Sequence, residues 1–139
     1  MYGAFEYGCC IYPVNPLLCS EYLGSAFDFM LSEKAKTCFS CVEFEFPIEQ
    51  SFRLVNGRPN FQHPDKLDYP SQKLTKFFHD AGMFYWFEVN EFLMTRTLIS
   101  NNSVCFLLNQ LFCQDINTIE DWALAELKVK RMHEDDFSK

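Results

Sequence analysis

The chain has 139 residues and carries 12 Lys and Arg against 19 Asp and Glu, a formal net charge of −7. Its length suits one ordinary domain, and a hydrophobic fraction of 48% can supply a core, which excludes a disordered chain. The acidic balance argues against a nucleic-acid binder, because there is no electropositive surplus to neutralise phosphates. Phe occurs 16 times, and so many rings must be buried or leave adhesive patches.

Tyr7-Gly-Cys-Cys-Ile-Tyr12 is a short apolar run that stops at Pro13, so it reads as a buried strand ending in a rigid turn, Pro13-Val-Asn-Pro16. Cys19–Leu31 follows with helical spacing: Leu23, Phe27, Met30 and Leu31 fall on one stripe, and Ser20 is placed to cap it. Cys38–Phe46 is strand-like. Strand, helix and strand make a βαβ unit, which predicts parallel pairing and an α/β fold. Asn56-Gly57 sits between two extended segments and signals a two-residue hairpin. A polar stretch from Gln62 to Lys76 leads to Met83-Phe-Tyr-Trp-Phe87, a dense apolar strand, and then to a short helix over Glu88–Met94. Val104–Leu108 reads as a last buried strand. Thr118-Ile-Glu-Asp121 is a capping box, which predicts a closing helix from Ile119 to Met132 with Trp122, Leu124, Ala125, Leu127 and Val129 as its apolar surface. Residues 133–139 read as a frayed polar tail.

No window holds about 18 consecutive apolar residues, so no membrane span is expected, and the N-terminus lacks a basic n-region. The odd count of seven Cys favours reduced, buried thiols and a cytoplasmic protein. Cys38-Phe-Ser-Cys41 has CxxC spacing, but no second pair follows, so two core residues are the better reading than zinc.

Chemistry-bearing residues are few. Asp115 lies between a buried strand and a capped helix, where α/β proteins bind ligands, and its oxygens suit a hard cation such as Mg²⁺; spacing alone favours an Asp that only bonds the turn. His79-Asp80-Ala81-Gly82 precedes the aromatic strand. Neighbours on a strand face opposite ways, so His79 and Asp80 are not expected to act as a direct pair. Gly82 suits a positive φ or a close backbone approach. Tyr85 and Trp86 suit a sugar pocket or the core equally. No Gly-rich phosphate loop and no Gly-x-Ser-x-Gly elbow exists.

The same segments, in order, resemble the cytidylyltransferases that activate nonulosonic acids: the CMP-sialic acid synthetases and, more closely, the pseudaminic acid cytidylyltransferases. Cys9-Cys-Ile-Tyr-Pro-Val-Asn-Pro16 resembles the family's Y-P-T-A-P turn, and Phe39–Ile48 its S-V-T-x-F-x-F-P-I segment. Ser71-Gln72 and His79–Trp86 resemble its R-S-Q-D-L and H-D-A-G-Q-F-Y-W blocks, and Asp115–Glu126 its D-I-D-T-x-E-D-W-x-x-A-E ending.

The resemblance implies a Rossmann-like nucleotide-diphospho-sugar transferase fold, here over residues 1–132 and without the family's N-terminal strands and phosphate-binding loop. It implies a reaction in which CMP passes from CTP to pseudaminic or sialic acid for surface glycans or flagellin, with Mg²⁺ neutralising phosphate charge. Asp115 and Asn117 take the positions of the metal-holding carboxylates. Gln72, His79, Asp80 and Tyr85 take positions facing the sugar acid. The hairpin within residues 47–75 takes the place of the arm through which family members pair as homodimers.

The departures are specific. Asn117 gives up one negative charge at the metal position, Gln50 and Pro70 stand where the pattern has Arg, Lys73 where it has an acid, and Val14 where it has Thr. Lost Arg weakens recognition of an anionic substrate. Three readings follow: the later portion of an active enzyme, a non-catalytic remnant, or a sugar-acid-binding or dimerisation module. A parallel sheet without its first strands exposes a long apolar edge. The isolated chain is therefore expected to be poorly soluble, and a sharp cooperative melt from a monodisperse monomer would contradict that.

Overall fold

The computed structural model describes residues 5–136. In chain order the elements are β1 (Tyr7–Ile11), α1 (Ser20–Ser32), β2 (Thr37–Glu43), β3 (Phe52–Val55), β4 (Arg58–Phe61), β5 (Phe78–Glu88), α2 (Val89–Thr95), β6 (Val104–Leu107) and α3 (Ile119–Asp136). Single 3-10 turns stand at Ile48–Gln50, Pro64–Lys66, Ser71–Lys73 and Gln110–Phe112. The fold is mixed α/β. A four-stranded sheet has the order β1-β5-β2-β6, and β3 and β4 form a separate hairpin. Two compact units result. One takes the described residues up to Val42 and from Asp80 onward, and the other is Glu43–His79.

The sheet is mixed rather than parallel. β1 pairs antiparallel with β5, from Tyr7 opposite Glu88 to Ile11 opposite Phe84. The Glu88 N–H donates to the Lys36 carbonyl at 2.8 Å, whereas the N–H groups of Met83 and Phe84 donate to the Ser40 hydroxyl at 3.2 and 3.3 Å. Numbers rise along β2 as they fall along β5, so β5 is antiparallel to both neighbours. The expected βαβ unit is corrected accordingly: β1 and β2 share a direction, but β5 lies between them. Only β2 and β6 pair in parallel, from Cys38 opposite Val104 to Cys41 opposite Leu107. The rule that consecutive strands are neighbours yields here because β5 is apolar on both sides of its pleat. Ala81, Met83, Phe84 and Tyr85 are all buried, and only an interior position in the sheet covers such a strand.

The core gathers Leu17, Ala26, Met30, Cys38, Met83 and Phe84. α1 closes one part of it. Phe27 packs on Tyr7 and Trp86 with ring centres 5.1 and 4.8 Å away, and the Trp86 indole N–H donates to the Leu23 carbonyl at 3.0 Å. Ser20 is the first helical residue, and its hydroxyl contacts Glu21 instead of capping. Cys19 stands at the cap with no side-chain bond. Leu31 of the expected stripe is exposed, while Ala26, one residue before Phe27, is fully buried. From α3, Ala125 is buried and Val129 and Met132 pack against the core, whereas Trp122, Leu124 and Leu127 face outward. α3 runs on to Asp136, past the Met132 expected from sequence, and the last three residues of the expected tail lie outside the described residues. Among the described residues no helix is long and apolar enough to cross a membrane.

In the second unit, Asn56 and Gly57 both take positive φ (51° and 76°), the left-handed pair that a type I′ turn demands. The hairpin register runs from Phe52 opposite Phe61 to Val55 opposite Arg58, with the two Phe rings 5.1 Å apart.

Ser40 is fully buried, so removing its hydroxyl leaves two strand N–H groups without an acceptor. A buried orphan donor costs about 1–3 kcal/mol. Ser40→Ala should lower unfolding stability by about 2 kcal/mol in a urea titration, with an unchanged slope. An unaltered midpoint would show that the hydroxyl is dispensable.

Candidate functional site

The H-D-A-G block lies within β5, which begins five residues earlier than the apolar run alone suggests. Its centre is a turn in mid-strand. Gly82 has φ +65°, and the Asp80 Oδ1 accepts its N–H at 2.9 Å. The other oxygen, Oδ2, accepts the Tyr85 hydroxyl at 2.7 Å. Burial pushes the Tyr85 phenol well above its ordinary value, and hydrogen bonds to Tyr12 and Asp80 push it further, so it stays protonated. The Tyr12 ring lies 5.6 Å from that of Tyr85. Met83, next in sequence to Gly82, is held from both sides. Its N–H goes to Ser40, and its carbonyl accepts the Tyr12 N–H at 3.3 Å and the Asn15 side-chain amide at 3.0 Å.

Asp115 arrives from the loop before α3. A Cβ built on Gly82 would lie 3.5–3.7 Å from its carboxyl carbon and oxygens. Gly82 thus gives the left-handed conformation and leaves a bare backbone beside the Asp115 carboxyl group. Asn117 donates its side-chain N–H to Asp115 Oδ2 at 2.9 Å, so its nitrogen, not its oxygen, faces the carboxylate.

Two devices fix this loop. The predicted capping box forms: the Thr118 hydroxyl accepts the Asp121 N–H at 3.2 Å, and Asp121 Oδ2 accepts the N–H groups of Asn117 and Thr118 at 3.1 and 2.9 Å. Lys128, one helix face further on, donates to the carbonyls of Gln110 and Cys113 and to Gln114 Oε1 at 2.7–2.9 Å. The sequence carried no sign of that clamp, because a lone Lys on a helix reads as solvated.

The expected site residues therefore fall into two sets. Asp80, Tyr85, Asp115 and Asn117 belong to the sheet unit, and Gly82, where Asp80 and Asp115 converge, carries the arrangement. Gln72 and His79 belong to the other unit. There the His79 ring packs 4.7 Å from that of Phe44, and Gln72 lines a cleft of about 300 Å³ with Phe44, Phe46, Ser71, Thr75 and Lys76. Lys76 pairs with Glu43 at 2.9 Å. Gln50, at a position of the family pattern held by Arg, is a structural staple. Its amide donates to the carbonyls of Lys66, Leu67 and Tyr69 at 3.0–3.4 Å.

The CxxC thiols are both buried on β2, and burial pushes each up to about 12, so they stay protonated and unreactive.

Searched against known proteins, the chain matches two pseudaminic acid cytidylyltransferases of Campylobacter jejuni. One is from serotype O:2, at 32% identity over 134 residues, and the other from serotype O:23/36, at 31%. The chain is a homologue of pseudaminic acid cytidylyltransferases. The match covers 96% of this chain and 58% of each relative, so the chain spans under two thirds of their length. A Helicobacter pylori protein named as pseudaminic acid cytidylyltransferase and UDP-2,4-diacetamido-2,4,6-trideoxy-beta-L-altropyranose hydrolase is 26% identical over 126 residues, 90% of this chain and 24% of that protein. No family model matches the sequence.

The capping carboxylate gives a pH test. Hydrogen bonds from Asn117 and then Thr118 hold Asp121 below the ordinary carboxylate value. A lowered folded value means a stabilisation that is complete above the unfolded pKa of about 3.9 and is lost as pH falls through the lower folded value. Asp121→Ala should therefore melt below the parent chain at neutral pH, and the gap should close in acid. A gap that stays constant down to the acid limit would refute the charged cap.

Proposed function

We propose that this chain supplies the sugar-acid and metal side of a cytidylyltransferase site, where CMP passes from CTP to a nonulosonic acid, with pseudaminic acid as the favoured substrate. The carrying observation is the match to the two Campylobacter proteins over 96% of the chain, which includes the segments holding Asp80, Tyr85 and Asp115. In this reading the anomeric hydroxyl of the sugar acid attacks the α-phosphorus of CTP. A new P–O bond forms, the bond to the bridging oxygen of the β-phosphate breaks, pyrophosphate leaves, and the hydroxyl proton is lost to base. The step is read as cytoplasmic, and the β3–β4 hairpin as a pairing arm between two copies.

The chain's own residues have distinct tasks. Tyr85, kept protonated by burial and by its bond to Asp80, braces the sugar-acid side of the sheet unit, and Gln72 and His79 are read as sugar-acid groups of their own unit. Asp115 is the metal-side carboxylate, with Asn117 beside it. These donors fit Mg²⁺, which takes one or two carboxylates and leaves its other positions to waters and substrate phosphates. Among the described residues there is no cluster of three His, Cys, Asp or Glu that would suit a protein-saturated metal site. When bound, Mg²⁺ would neutralise charge on the triphosphate.

A second reading, a sugar-acid-binding module without turnover, draws on one observation: Asn117 turns a donor rather than an oxygen toward Asp115. Incubation with CTP, Mg²⁺ and pseudaminic acid, followed by mass spectrometry, separates the two. The first reading expects CMP-sugar and pyrophosphate, with formation falling about 100-fold in Asp115→Ala. Calorimetric binding of the sugar acid without product would favour the module. Neither product nor binding would overturn both.

A further inference from the structure

Asp80 would ordinarily be taken for a group that touches substrate, since it sits in the most distinctive block of the sequence. The geometry gives it different work. Both carboxylate oxygens are engaged within the protein, Oδ1 by the Gly82 N–H at 2.9 Å and Oδ2 by the Tyr85 hydroxyl at 2.7 Å. The first bond fixes the left-handed turn at Gly82, beside which the Asp115 carboxyl group lies. The second fixes the torsion of a buried phenol whose remaining lone pair and ring edge are then set in direction. Bonds to an ionised acceptor are about twice as strong as neutral ones, so one carboxylate orients both features.

We propose that Asp80 is a positioning residue: by bridging the Gly82 N–H and the hydroxyl of the buried Tyr85, it sets the Gly82 turn and the Tyr85 phenol for the candidate site. The inference rests on the reading of the Asp80–Tyr85 segment as the sugar-acid side of the site, and it deepens that reading by assigning orientation to Asp80. It also separates Asp80 from His79, its neighbour in sequence, whose ring packs with Phe44 in the other unit.

Two measurements on the full 139-residue chain test it. In the first, the tyrosines are replaced by 3-fluorotyrosine and the Tyr85 fluorine resonance is assigned by its loss in Tyr85→Phe. Asp80→Asn should shift that resonance and make Tyr85 about tenfold more acidic, since Asn removes the negative acceptor. An unmoved Tyr85 signal in a folded Asp80→Asn chain would overturn the proposal. In the second, pseudaminic acid binding is measured by calorimetry for the parent, Asp80→Asn, Tyr85→Phe and the double variant. Asp80→Asn and Tyr85→Phe should each weaken binding about tenfold, and the double variant should be no weaker than Asp80→Asn alone. Additive losses would mean that Asp80 and Tyr85 act independently, and would also overturn the proposal. If the parent chain binds no sugar acid, the functional reading fails, and the fluorine experiment alone decides what Asp80 does.

Discussion

The arrangement depends on how one residue, Met83, is gripped in the middle of the sheet by the groups on both sides of its α-carbon. Its N–H donates to the buried Ser40 hydroxyl on β2, and its carbonyl accepts from Tyr12 and Asn15 just past β1. Ser40 also accepts the N–H of Phe84, so a single hydroxyl satisfies two strand donors that a regular ladder would give to carbonyls. The strand leaves its even pairing at this point. One residue before Met83, Gly82 turns left-handed, and Asp80 folds its carboxylate back onto the turn. Bends of this kind re-aim side chains next to functional sites.

The loop that brings Asp115 to Gly82 is built with equal care. A segment between a strand and a helix has unpaired backbone groups at both ends, and groups at both ends find side-chain partners here. The Thr118–Asp121 box takes N–H groups at the start of α3, and the Lys128 ammonium takes the carbonyls left by the turn at Gln110–Phe112. Asp115 therefore projects from a braced loop onto a braced strand. Asn117, two residues on, ties its side-chain amide to Asp115 by a hydrogen bond.

Features with a local cause were legible in the sequence. Asn56-Gly57 gave the hairpin because a type I′ turn needs two left-handed residues, and Thr118-Ile-Glu-Asp121 gave the helix start because its reciprocal bonds are internal to the motif. The order of strands was not legible. Nothing in β1, α1 or β2 announces that a strand beginning 35 residues after Glu43 will separate them, since 78 − 43 is 35 and that long-range pairing has no local signature. The roles of Ser40, Gln50 and Lys128 were hidden for the same reason: each acts through partners distant in the chain. Ser20 failed as a cap because the helix starts one residue earlier than the preference for Ser implies, so that Ser20 is already helical and Cys19 stands at the cap. The motifs pointed to Asp80, Tyr85 and Asp115 as candidates, but only coordinates show that Asp80 and Asp115 both lie against Gly82.

The Gly82 turn with Asp115 beside it is the region on which the proposed reading rests, in a chain that spans 58% of its Campylobacter relatives. The most direct measurement is an amide-resolved NMR titration of the chain with pseudaminic acid. The account predicts that the largest shifts fall on the amides of Gly82, Tyr85 and Asp115. Shifts confined to other segments, or no shifts at saturating ligand, would contradict it.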